Sequence, residues 1–232
     1  MPPPIVVCAD IGSVAKGNFG WWSSACESGS LPSTLAAHLA ALLDDGAPVA
    51  LGFECPLFVP ISQDELQLTK APPGEGSRPW SAGAGCGALA TGLVEVAWVL
   101  EATRNAITKP VPSSFLDWQQ FDCAGAGLFI WEAFVSGSAK QLSHVEDAMV
   151  GACAFLAALP NPELSNAIVC ESKVHSLIGA AMLGTGWCAD IDILRRACPH
   201  TEVPSVMHGL SAMRVSTSAP GGKGPEVVVG PD

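Results

Sequence analysis

Four acidic residues occupy positions at which an α/β chain can do chemistry. Asp10 closes the apolar run 4–9 and is followed by Ile11-Gly12-Ser13, so a carboxylate sits where a buried strand runs out into a glycine-containing turn. Glu54 follows the apolar run 49–53, Glu132 interrupts Leu128-Phe129-Ile130-Trp131, and Asp147 falls in the first turn of an apolar helix. Carboxylates gathered from such distant segments repel one another, and one of them takes up a proton unless a cation compensates. Mg²⁺ and Mn²⁺ prefer oxygen ligands and can stabilise the attacking and leaving oxygens of phosphodiester hydrolysis. Asp10, Glu54 and Asp147 are therefore the expected metal ligands, and His144, three residues before Asp147, can point into the same site.

The elements that would position these residues follow from periodicity. Residues 4–10 and 19–24 are predicted strands joined by a turn through Lys16-Gly17-Asn18, which makes a hairpin. Leu35, Leu39, Leu42 and Leu43 have helical spacing over 31–43, and this helix feeds a third, continuously apolar strand at 49–53 that stops at Cys55-Pro56. Residues 60–87 are rich in glycine and proline and read as a long functional loop. Within it Glu75, Arg78 and Trp80 combine charge, an aromatic ring and mobile backbone suited to holding a substrate, and Lys16 in the first turn could touch phosphate. A helix over 88–102, a strand at 128–135, a helix over 145–159, a strand at 167–170 and a short helix over 175–186 complete the series. The helix near 144 has the clearest start, because Ser143-His144-Val145-Glu146 matches a capping box. Its face of Gly151, Ala154 and Ala158 lets it lie close to a sheet and carry Asp147 and His144 towards Asp10. Residues 1–196 are expected to form the domain and 197–232 an irregular, Pro/Gly-rich tail.

Asp10 in the first strand, a hairpin, a helix, Glu54 at the end of the next strand, and a late helix opening His144-Val145-Glu146-Asp147-Ala148 resemble the RNase H-like superfamily over roughly residues 5–159. Within it the likeness is to predicted RNase H-like nucleases, and the late-helix pattern resembles Holliday-junction resolvases. The resemblance implies a three-layer α/β fold: a mixed central sheet whose first three strands are antiparallel, with later strands parallel to the first and helices on both faces. It also implies Mg²⁺ or Mn²⁺ at Asp10, Glu54 and Asp147, with His144 as ligand or water-orienting group and a nucleic acid or phosphoester as substrate. Asp10-Ile11-Gly12-Ser13 with Lys16 resembles, in addition, the first phosphate-binding turn of actin-like ATP-binding proteins. A scaffold protein that retains the fold without turnover is a third expectation.

Composition limits these choices. The chain has 232 residues, 49% of them hydrophobic and 14% charged, enough for a sizeable core. The formal net charge of −11 opposes non-specific coating of nucleic acid, which rests on Lys and Arg neutralising phosphates, but not local attraction of a phosphodiester through bound metal. No apolar stretch is expected to span a membrane, and Met1-Pro2-Pro3-Pro4 lacks the features of a secretory signal, which points to the cytoplasm. The nine cysteines, none in Cys-x-x-Cys spacing, are expected as small apolar residues. Asp10 could instead cap its turn and Asp147 favour only the helix dipole. Glu132, inside an apolar strand, needs a partner such as Arg78 or Arg104 if it does not meet metal. Trp98 and Trp131 are expected in the core, and His38, His175, His200 and His208 have no metal spacing.

Overall fold

A computed structural model describes residues 3–68, 70, 84–135, 137–166 and 173–203. The central sheet is built on β1 (Ile5–Asp10), whose apolar residues are buried along its length. β2 (Gly20–Ser23) returns antiparallel with Asp10 opposite Gly20, and β3 (Glu27–Gly29) continues antiparallel after a turn in which Cys26 takes a positive φ of 66°. α1 (Pro32–Asp44) starts with proline in its first turn, where the missing N–H is harmless, and leads into β4 (Pro48–Glu54), parallel to β1. Across this pair Asp10 stands in register with Glu54.

β5 (Phe58–Pro60) leaves the main sheet and pairs with a later strand over 174–176, so the segment expected as loop from residue 60 begins with structure. α2 (Ala84–Ala106) is longer than predicted and absorbs the glycines at 85 and 87. β6 (Ser114–Phe115) and α3 (Trp118–Ala124), capped by Asp117, occupy a stretch that has no periodic signal. β7 (Gly127–Phe134) runs parallel to β4, followed by α4 (His144–Ala158). β8 (Val174–Ser176), α5 (Leu177–Gly184) and β9 (His200–Glu202) complete the chain order. The strand expected at 167–170 lies outside the described residues.

The main sheet has the order β3-β2-β1-β4-β7-β6, with β9 also parallel to β7. Strand alternation divides its residues between two cores. Val7, Ala9, Val49, Leu51, Phe53, Leu128 and Ile130 face α1, α2 and α5; Val6, Cys8, Ala50, Phe129, Trp131 and Ala133 face α3 and α4. The molecule is thus a three-layer α/β fold with a mixed sheet. Gly52 leaves room for the Trp131 indole, since a Cβ there would lie 2.4 Å from the ring. Trp131 is in the core as expected, but Trp98 is 47% exposed on α2.

Packing does not stop at residue 197. Cys198 and His200 are buried, and β9 hydrogen-bonds to β7, so residues 197–203 are packed where an irregular tail is expected from the sequence; residues 204–232 lie outside the described set. Within α2, Cys86–Ala106 is long and apolar enough to cross a membrane by length and composition. It nevertheless buries Val96, Val99 and Leu100 in the core beside α1 and α5, as a layer helix does. The eight cysteines among the described residues are all free thiols.

Candidate metal centre

Asp10 and Glu54 end adjacent parallel strands, and the alternation that sends Cys8 and Gly52 towards α4 sends these two carboxylates the same way. α4 supplies the other groups. Its start is fixed by Ser143, whose hydroxyl accepts from the Glu146 N–H at 3.2 Å as the sequence anticipates; the same hydroxyl donates to the Glu146 carboxylate at 3.0 Å, in place of the Ser143 N–H that a full capping box would use. The first turn then lies over β2 at Gly20, where an added Cβ would be 2.4 Å from His144 C and Val145 N. About two turns further along, Gly151 faces Cys8 and Ala133. Small residues at both contacts bring the helix down onto the sheet.

The consequence is convergence. His144 Nδ1 contacts Asp10 Oδ2, and one ligand atom from each of Asp10, His144 and Asp147 can be chosen so that all lie within 4.8 Å of one another. Asp10 and Asp147 are buried, at 3% and 4% exposure, while His144 is partly open. Asp147 Oδ1 accepts from the Gln141 N–H at 2.6 Å, which fixes the carboxylate. These three residues form a group that could hold a metal ion.

Glu54 lies at the edge of this group, tied to it by Lys140. The Lys140 ammonium is 2.6 Å from Glu54 Oε1, 3.1 Å from Asp147 Oδ2 and 3.7 Å from Asp10 Oδ1. Burial, with the Asp10 carboxylate adding to it, pushes Glu54 up to about 9 against the pull of Lys140. For Lys140 burial acts downwards, but Glu54, Asp10 and Asp147 outweigh it and hold the ammonium above the usual lysine range. Glu54 Oε2 is buried without a hydrogen-bond partner among the described residues. Two buried aspartate carboxylates and an imidazole, with a further buried oxygen lacking a partner beside them, make an oxygen-rich donor set that fits a divalent cation. Cys8 beneath the cluster is not an alternative nucleophile, because burial, then Glu54 and Asp10, push its thiol well up.

Glu132 does not join. It stands in register with Phe53 rather than Glu54, and its parity with Leu128 and Ile130 turns it to the opposite face of the sheet. There its carboxylate accepts from the Leu57 N–H at 2.8 Å and lies 3.5 Å from His200 Nε2. Its place in the expected catalytic set is therefore corrected to a structural one, joining the β4–β5 connection and β9 to β7. Of the arginines considered as partners, Arg104 lies against Gly186 and Arg78 is outside the described residues. Glu75 and Trp80 are outside them too. Lys16 is exposed in the short 3-10 turn after β1.

Two residues of this region carry no signal that singles them out by periodicity. Lys140 is the only Lys or Arg between Lys109 and Lys173, a local scarcity that is its one trace in the sequence. Glu95, on α2, accepts from the Gly12 N–H at 3.3 Å, and burial first, then Asp10, raises its pKa. That it is the one charged residue in the apolar stretch 88–100 is the only hint of it. Comparison of the chain with protein-family models, curated proteins and solved structures finds no match.

Proposed function

We propose that the protein is a divalent-metal-dependent phosphodiesterase of the RNase H-like kind, acting on a nucleic acid or another phosphoester. The observation that carries this reading is the approach of Asp10, His144 and Asp147 to within one ion's reach at the strand ends. The antiparallel β1-β2-β3 followed by parallel β4 and β7 agrees with the resemblance drawn from the sequence.

Asp10 and Asp147 would hold the cation, with His144 as a third donor and Glu54 at its margin; carboxylates suit Mg²⁺ and Mn²⁺, and the imidazole favours Mn²⁺ of the two. A divalent cation so held supplies Lewis acidity towards a phosphoryl oxygen and towards water. The protein's own groups do the rest. Gln141 N–H orients the Asp147 carboxylate. His144, with Nδ1 committed to Asp10, keeps Nε2 as the nitrogen it could offer the cation. Glu54, with its raised affinity for a proton, can hold one at a carboxylate oxygen near the reacting groups. Lys16, exposed on the turn after Asp10, remains the proposed phosphate contact.

The actin-like alternative is weaker. Its phosphate would be held by the backbone N–H groups of the turn after β1, yet the Gly12 N–H there already donates to the Glu95 carboxylate. Cleavage of single-stranded, duplex and branched DNA and RNA in Mg²⁺ or Mn²⁺, absent in folded Asp10→Asn and Asp147→Asn proteins, tests the proposal. No hydrolysis of any of these or of a simple phosphodiester, together with no metal binding, refutes it.

A further inference from the structure

The cluster contains a cation of its own, set against oxygens that a metal would need. His144 takes Asp10 Oδ2 and the Gln141 N–H takes Asp147 Oδ1. The two oxygens left over, Asp10 Oδ1 and Asp147 Oδ2, are the two that Lys140 Nζ approaches, at 3.7 and 3.1 Å. A divalent ion binds carboxylate oxygens at about 2.0–2.1 Å, so it and an ammonium sharing those atoms would be forced close together with like charge. They cannot occupy the place together. The shortest contact of Lys140 is with a third carboxylate, Glu54 at 2.6 Å, which can retain it. Its side chain is 41% exposed, which leaves room for the stem to move outwards.

We infer that Lys140 is a tethered stand-in for the metal: it closes the carboxylate cluster when no ion is bound, and yields Asp10 and Asp147 to an incoming divalent cation while staying on Glu54. The inference rests on the metal reading above and adds to it an exchange between two cations. Without Lys140 the metal-free cluster would hold its carboxylates together uncompensated. The same lysine sets a threshold, because only an ion that binds the aspartates better than the ammonium does can enter.

Binding of Mn²⁺ to the full chain, followed by electron paramagnetic resonance of the free ion, tests this in the native protein and in Lys140→Met, Lys140→Gln and Lys173→Met. Both Lys140 variants are expected to bind Mn²⁺ at least about tenfold more tightly than the native protein, because a competing charge has gone; Lys173→Met, at an exposed lysine outside the cluster, should bind as the native protein does. Either Lys140 variant suffices should the other fail to fold. Crystals with Mn²⁺ should have the ion on Asp10 and Asp147, with Lys140 in contact with Glu54 alone. Native binding with equal or weaker binding in the Lys140 variants overturns the exchange and leaves the metal site standing. An ion bound with all three Lys140 contacts intact does the same. No Mn²⁺ bound by any of the proteins overturns the exchange and the metal reading together.

Discussion

Substituting Gly20 by alanine asks the most of the site's construction for the smallest chemical change. The new Cβ would sit 2.4 Å from His144 C and Val145 N and 2.7 Å from His144 O, all backbone atoms at the start of α4. Ordinary contact begins near 3.4 Å, so the first turn must retreat by about 1 Å. Overpacking of this kind costs about 1–3 kcal/mol. At about 2 kcal/mol, a protein of this size should melt about 4–8 °C lower. The retreat carries His144 away from Asp10, because Gly20 is the strand partner of Asp10 and the helix start lies above both. Mn²⁺ affinity should fall about 10–100-fold, the usual effect of disturbing what orients a ligand. Gly184→Ala is the control: it ends α5 with nothing within 4 Å of the added Cβ, and should leave both quantities as they were or raise the melting temperature slightly. Thermal melting and Mn²⁺ titration of the two variants decide the matter. A Gly20→Ala protein that melts and binds like the native one would mean that α4 is not held down where we place it.

Other outcomes are expected. Mn²⁺ at about 100 times its dissociation constant should stabilise the native protein by about 2.7 kcal/mol, and Asp10→Asn or Asp147→Asn should abolish that rise in a thermal shift assay. Glu132→Gln should lose about 1–3 kcal/mol in urea unfolding yet bind Mn²⁺ unchanged; lost metal binding would return Glu132 to the site. Between its ordinary 4.5 and about 9, Glu54 keeps in the fold a proton that the unfolded chain releases. Metal-free stability should therefore fall as pH rises through that window, by at most about 1.4 kcal/mol per unit, and a Glu54→Gln protein should lack the slope. His200 acts oppositely: burial lowers it from 6.5 to about 4, so the unfolded chain binds the extra proton and stability falls as pH drops through that range. The two oppose each other between pH 4.5 and 6.5. Urea titrations of Glu54→Gln should thus expose the His200 limb, and those of His200→Phe the Glu54 limb; identical profiles for all three proteins would contradict both assignments.

The sequence disclosed what depends on local pattern. The hairpin, the helices at α1 and α4 and the long parallel strands follow from apolar period, and the Ser143–Glu146 cap fixed the start of the helix that bears Asp147 and His144. Which carboxylates meet was legible only in part. Asp10 and Glu54 sit at matching strand ends, whereas Glu132 is offset by one residue, and a one-residue offset in a strand reverses the face. That register is set by pairing across the chain and cannot be read from Leu128-Phe129-Ile130-Trp131 alone. Lys140 eluded the pattern because an irregular connection has no period. β3, β6 and β9 were too short for theirs to register.

Both short strands β6 and β9 lie along the flank of β7 that β4 leaves open: β6 pairs with Leu128 and Phe129, and β9 with Glu132, Ala133 and Phe134. The flank is therefore completed from two places far apart in the chain. During synthesis the segments bearing Asp10, Glu54 and Asp147 have all emerged before β9 exists, and until it does, half of β7 offers open backbone groups to any passing strand. A chain shortened to end at Arg196 would keep every proposed metal ligand and still lack the cover that discourages self-association.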